Sequence, residues 1–317
     1  MDKKRNGLLE IYRFMLCFMP LYYHNFFFLE RNYDIFEVPE LAVDFFFMLS
    51  GLFLMGSMRK LGEERILVGM WKLMFSRAKP MMFTMCFITA FNAICVALFI
   101  RERYLHTIFH LFKYWWFVWY LVLAIGILYV VYRLLKSEKR FVVFLVILAA
   151  AMATLHYFVV EEGKLITELV FFTRAFGSVS AGILVSYIPR WKNEKFNPAI
   201  PAVVVLLPTL LYLYYNDKTF LTCLVMIAMF GALIYFSTHI SVGGRVFDLL
   251  GKLSVRMYLY MAFLTMLSYL GLTNHRVLFV IDIALASLDL AVDYYRQRYK
   301  ALKRKTEKAE ELVLAAK

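Results

Sequence analysis

Ten apolar runs, each of roughly 17 to 25 residues, alternate with shorter charged stretches along the chain. They lie near residues 8–29, 39–58, 80–100, 115–133, 141–160, 165–188, 198–215, 219–238, 254–272 and 277–293. Coiled as helices, runs of that length match the hydrocarbon thickness of a bilayer, and a helix satisfies its own backbone where no water is present. The pattern therefore predicts an all-α, polytopic integral membrane protein with about ten transmembrane helices. An even number of crossings puts both termini on one side. Residues 1–293 are expected to form the transmembrane domain and 294–317 a basic cytoplasmic tail. That tail, YYRQRYKALKRKTEKAEELVLAAK, suits a charged helix beside an anionic lipid surface. The first run is longer than a signal-peptide core and lacks a small-residue cleavage site, so it is expected to stay as a span.

Composition agrees, since 62% of the 317 residues are hydrophobic and only 19% are charged, which excludes an ordinary soluble domain. A net charge of +13 would suit nucleic acid if it were clustered, but it alternates from loop to loop. With the N-terminus in the cytoplasm, the cytoplasmic tails and loops hold 27 Lys and Arg and the opposite loops seven. That asymmetry predicts N-in and C-in, with the lipid bilayer and not nucleic acid as the surrounding partner. The outer segments are acidic, with Glu30, Asp34, Glu37 and Glu40 in the first and Glu161 and Glu162 in the third.

Against this background the first span, LLEIYRFMLCFMPLYYHNFFFL, is unusual in carrying Arg13 and His24. Eleven helical steps of about 100° return to within about 20° of the start, so both residues share one stripe, roughly 16 Å apart along the axis. Glu10 and Cys17 lie on the same stripe. A charge at a helix centre costs at least about 2.5 to 3.5 kcal/mol on insertion scales, so the stripe is expected to face protein or water. Glu10 and Arg13, one turn apart, are placed to pair. Pro20 cannot donate its backbone bond and is expected to kink the helix near His24, freeing a carbonyl to line a cavity.

Other polar residues have plainer readings. Cys17, Cys86, Cys95 and Cys223 fall in apolar spans without ligand-like spacing and read as packing residues. His106 and His110 stand four apart with no third ligand in reach, so no metal is predicted. Asp282, Asp289 and Asp293 recur along one face of the last span and are expected to pair with Arg256 or Arg174, or to line water. Asp44 suits a helix cap, Ser50 and Gly51 close helix packing, and Trp119 and Tyr120 core packing.

Several local motifs stand in a telling order: AVDFFFMLSGLFLM in the second span, FSRAKP before the third, WYLVLAIGILY in the fourth and LGKLSVRMYLYM at the ninth. Together they resemble acyltransferase family 3, bacterial membrane O-acyltransferases that decorate polysaccharides and other envelope molecules. The resemblance covers nearly the whole chain. The family's acidic residue, arginine and histidine of the first helix correspond to Glu10, Arg13 and His24. Its second-helix aspartate, aromatic pair and Ser-Gly correspond to Asp44, Phe46, Phe47, Ser50 and Gly51. The arginine three residues before a proline is Arg77 before Pro80, and Arg174 in TRAFGSVSAGILVS falls where many members carry an arginine. Three positions depart: Met74 replaces the partner of Arg77, with Lys72 or Lys79 as substitutes, Ala124 replaces a glutamate, and Met261 replaces a histidine. A soluble esterase-like domain of the kind some relatives append is not expected in residues 1–317.

The resemblance implies an enzyme of the bacterial plasma membrane that moves an acetyl group from cytoplasmic acetyl-CoA to a hydroxyl of an envelope polysaccharide or lipid-linked glycan, with polysaccharide-assembly enzymes as candidate partners. It implies catalysis by His24, Arg13 and Glu10, and donor contacts from Arg13, Arg77, Lys72 and Lys79. Asp44, Ser50, Trp119, Arg174 and Tyr258 are the substrate-side or structural candidates. The chemistry is consistent with the residue types. A histidine titrating near pH 6.5 can take a hydroxyl proton and return it to a leaving thiolate. Arginine suits a phosphorylated donor. A transporter or flippase, or a non-catalytic acyltransferase-like subunit, would also bury ionisable groups. A transporter is expected to show matching halves with broken helices, and none is visible.

Overall fold

The computed structural model describes residues 6–30, 42–99, 115–161, 167–189, 220–239, 243–269, 271–272 and 274–315. Among them the protein is all-helical, without strands. The helices are α1 (Gly7–Glu30), α2 (Ala42–Leu52), α3 (Leu54–Lys60), α4 (Ile66–Phe99), α5 (Trp116–Leu135), α6 (Glu138–Glu161), α7 (Thr167–Tyr187), α8 (Phe220–Ser237), α9 (Arg245–Tyr269) and α10 (His275–Ala315). Among the described residues, five segments are long and apolar enough to cross a membrane: Ala42–Lys60, Ile66–Leu98, Trp116–Leu135, Glu138–His156 and Leu169–Tyr187. The expected span at 198–215, the pair His106 and His110, and the acidic loop residues Asp34, Glu37, Glu40 and Glu162 lie outside the described residues.

Three boundaries differ from the expectation for physical reasons. The second span is two helices that break at Phe53, and α3 then carries Arg59 and Lys60 in its last turn. The third begins at Ile66 rather than near 80, because MWKLMFSRAK consists mostly of good helix formers and Pro80 is accommodated inside the helix. Lys72, Arg77 and Lys79 therefore stand on a helix and not in a loop. Finally, α10 continues without a break from the last apolar run into the basic tail, 41 residues in all, or about 60 Å.

Burial explains which faces meet. α1 packs most extensively on α9, and α7 on both α6 and α2. Asn6 starts α1 by accepting from the backbone N–H groups of Leu8 (3.1 Å) and Leu9 (3.2 Å), and its amide reaches across to the Ser237 carbonyl on α8 at 2.6 Å. α2 and α7 approach so closely that a Cβ on Gly51 would strike the Val179 carbonyl, and one on Gly182 the Met48 carbonyl. Both glycines thus permit backbone contact between apolar helices. Elsewhere the apolar side chains face outward: only 17% of the apolar stretch of α6 is buried, and α5 exposes Trp119, Leu123, Ile127 and Leu134 along one stripe. Surfaces of that extent require lipid.

Candidate active site on the first helix

The stripe on α1 begins with an ion pair. Arg13 Nη1 donates to Glu10 Oε2 at 2.9 Å, one turn apart, with side chains 21% and 8% exposed. Glu10 is held from the other side by α9, where a Cβ on Gly251 would coincide with its carboxylate. The glycine at 251 leaves room for the acid in the position from which it holds Arg13. A guanidinium presents its donors in a planar fork, the geometry that suits a phosphate or carboxylate. One turn beyond Arg13, the buried Cys17 thiol donates to the Ser254 carbonyl on α9 at 3.1 Å. Ser254 Oγ in turn donates to the Gly251 carbonyl at 3.0 Å. His24 follows on the same helix, which is continuous across Pro20. The His24 side chain lies outside the described residues.

A second cluster joins residues far apart in sequence. Asp44 accepts from Arg174 Nε (3.3 Å), Arg174 Nη2 (3.2 Å) and Ser178 Oγ (3.1 Å). The Arg174 guanidinium also lies over the Trp116 ring, 5.5 Å from its centroid, and Trp116 stacks on Phe171 at 4.1 Å. Asp44 is thus half of a buried α2–α7 ion pair, which supersedes the simple helix cap, and Arg174 is the partner of Asp44, not of the aspartates on α10. Next to it, Phe117 touches Phe46 (6.2 Å), Phe47 (4.6 Å) and Tyr258 (5.4 Å). The aromatic pair of α2 and the tyrosine of α9 therefore meet through α5.

The remaining candidates are dispersed. Arg77 Nη2 donates to the Phe53 carbonyl (3.2 Å) and Ser57 Oγ (3.1 Å), pinning the α2–α3 break. Lys72 pairs with Glu64 at 2.5 Å, and Lys79 is exposed. Ser50 Oγ donates to its own helix at the Phe46 carbonyl, 2.8 Å away. Trp119 is 51% exposed on the outward stripe of α5, which corrects its reading as core: the helix turns Trp116 inward instead. Of the three aspartates on α10, Asp289 (3.4 Å) and Asp293 (2.8 Å) pair with Arg256, whereas Asp282 makes no hydrogen bond among the described residues. Cys17 and Cys95 are packed inside, but Cys86 faces outward, and the Cys223 side chain lies outside the described residues.

Gly251, Trp116, Phe117 and Ser178 complete these clusters and were not among the expected site residues. Their signals are weak in a linear sequence: Ser178 stands one turn from Arg174, and Gly251 opens the motif that ends at Met261.

A family model described as an acyltransferase domain matches residues 8–292, from the start of α1 to the inner part of α10. The chain belongs to acyltransferase family 3. No curated protein and no solved structure matches it. The match takes in Glu10, Arg13, His24, Asp44, Arg77, Arg174 and Tyr258 together. With its apolar helices, the protein is a multi-pass membrane acyltransferase.

Proposed function

We propose that this membrane acyltransferase is an O-acetyltransferase of the bacterial plasma membrane. It uses cytoplasmic acetyl-CoA to modify a hydroxyl of an envelope polysaccharide or lipid-linked glycan, and it works beside polysaccharide-assembly enzymes. The observation that carries the reading is the Glu10–Arg13 pair on α1, the helix that bears His24, set against Gly251 of α9. Arg13 grips the anionic end of the donor, assisted by Arg77, Lys72 and Lys79 on α4. His24, roughly 16 Å further along α1, takes the acceptor's hydroxyl proton as the oxygen attacks the thioester carbonyl. It returns that proton to the sulfur as the C–S bond breaks, so no metal or external proton source is needed. Glu10 is a positioning residue that aims Arg13.

The transmembrane unit is residues 1–293, with ten crossings, both termini in the cytoplasm and a basic tail from 294. The positive-inside charge distribution supports this orientation. So does the meeting of two basic stretches at one end of the helices: Arg59 forms a forked pair with Glu138 (2.8 and 2.9 Å), and Arg133 donates to the Leu61 (2.9 Å) and Glu64 (2.8 Å) carbonyls. Sealed inside-out vesicles holding the protein and a lipid-linked glycan acceptor test the reading. Labelled acetyl-CoA added outside, at the former cytoplasmic face, is expected to label the glycan. Labelling only from the opposite face, or counterflow of a saccharide with no acyl-CoA present, would overturn it.

A further inference from the structure

Asp282 and Asn92 are enclosed polar side chains that take no part in either cluster. Asp282 on α10 is 0% exposed and Asn92 on α4 is 2% exposed, and among the described residues neither carboxyl oxygen nor either amide atom has a hydrogen-bond partner. Such groups are rare and destabilising, and an amide and a carboxyl left unpaired in protein mark a missing ligand or water.

Their positions are related. Thr84 Oγ1 donates to Asp289 Oδ2 at 2.9 Å, joining α4 to α10. α4 runs alongside α9, since Phe91 meets Phe263 at 4.9 Å, and α10 runs back along α9, where Asp289 and Asp293 pair with Arg256. Counted from the Thr84–Asp289 contact, Asn92 is eight residues on along α4 and Asp282 is seven back along the opposed α10. The two orphaned groups therefore share a level to within about 2 Å. Phe18 on α1, next to Cys17, meets Phe279 on α10, one turn from Asp282, at 5.7 Å between ring centroids. The level is thus that of the α1 stripe just beyond Arg13, on the way to His24.

We infer that Asp282 and Asn92 are the hydrogen-bonding contacts for the amide groups of the donor's pantetheine arm. This rests on the acetyl-CoA reading above. An amide offers one N–H and one carbonyl. The Asn92 side chain complements both, and the Asp282 carboxyl complements the N–H. Neither group is open to solvent, so the packing around them must rearrange to admit the arm. Binding then satisfies groups that are unpaired without it, and this difference favours the bound arrangement.

The test is equilibrium binding to the full-length protein in nanodiscs, with CoA as one probe and adenosine 3′,5′-bisphosphate, which lacks the arm, as the other. Asp282→Leu and Asn92→Leu are each expected to weaken CoA about tenfold, to leave the bisphosphate within about twofold, and to raise the melting temperature. Asp282→Asn, which keeps a hydrogen-bonding head, should hold CoA within about threefold of wild type. The positions are on different helices, so a folded leucine variant at either one suffices. If it binds CoA like the wild type, or loses CoA and the bisphosphate together, the inference falls while the donor reading stands. A wild-type protein that binds neither probe overturns both.

Discussion

Gly251→Ala perturbs the candidate site through a single methyl group. The new Cβ would occupy the place of the Glu10 carboxylate, so either that acid rotates away or α9 shifts from α1 along its most extensive packing. Rotation breaks the 2.9 Å bond to Arg13. A hydrogen bond to a charged group contributes about 1.5 to 3 kcal/mol, and forcing a methyl into a packed interface costs about 1 to 3 kcal/mol. Because Arg13 is 21% exposed, water recovers part of the first loss, and we expect the total near the lower ends of these ranges. If Glu10 aims Arg13 at the donor, a loss of about 1.4 to 2.8 kcal/mol lowers kcat/KM for acetyl-CoA about 10- to 100-fold, mainly through KM. The control is Gly56→Ala, where a Cβ meets nothing within 4 Å and activity should be unchanged. Steady-state CoA release at varied donor concentration, with a thermal melt on each protein, separates the contributions. A Gly251→Ala enzyme with wild-type KM and melting temperature would refute the reasoning.

Other outcomes follow from the same geometry. Asp44→Asn or Arg174→Met alone leaves a buried charge unpaired and should cost about 3 to 5 kcal/mol, whereas the double replacement should recover much of that loss in thermal melts. Trp116→Ala removes the surface beneath Arg174 and should lower stability by about 3 to 5 kcal/mol, but Trp119→Ala, on the lipid-facing stripe, should stay within about 1 kcal/mol. Equal losses at the two tryptophans would contradict the assigned faces of α5.

How much of this was legible in the sequence depended on how local each interaction is. Glu10 and Arg13 pair within one turn, so their spacing alone anticipated the contact. The apolar runs announced the helices, and the motif order announced the family, because both are linear signals. The Asp44–Arg174 pair joins residues 130 positions apart, and nothing along the chain says which acid a buried arginine selects. The aspartates of α10 show the limit of periodicity: Asp289 and Asp293 reach Arg256, but Asp282, on the same face, lies two turns beyond it. The start of α4 was hidden because Lys72, Arg77 and Lys79 resemble a loop in hydropathy, although helix propensity favours their continuation. Gly251 was invisible for a related reason, since its role is to be absent from the space that Glu10 fills.

The most direct test of the account is CoA release from acetyl-CoA by purified His24→Ala protein, with melting temperature and CoA affinity measured alongside. Acceptor-dependent CoA release should fall about 100- to 10,000-fold, with fold and donor binding retained. A folded His24→Ala protein that transfers acetyl groups at the wild-type rate would contradict it.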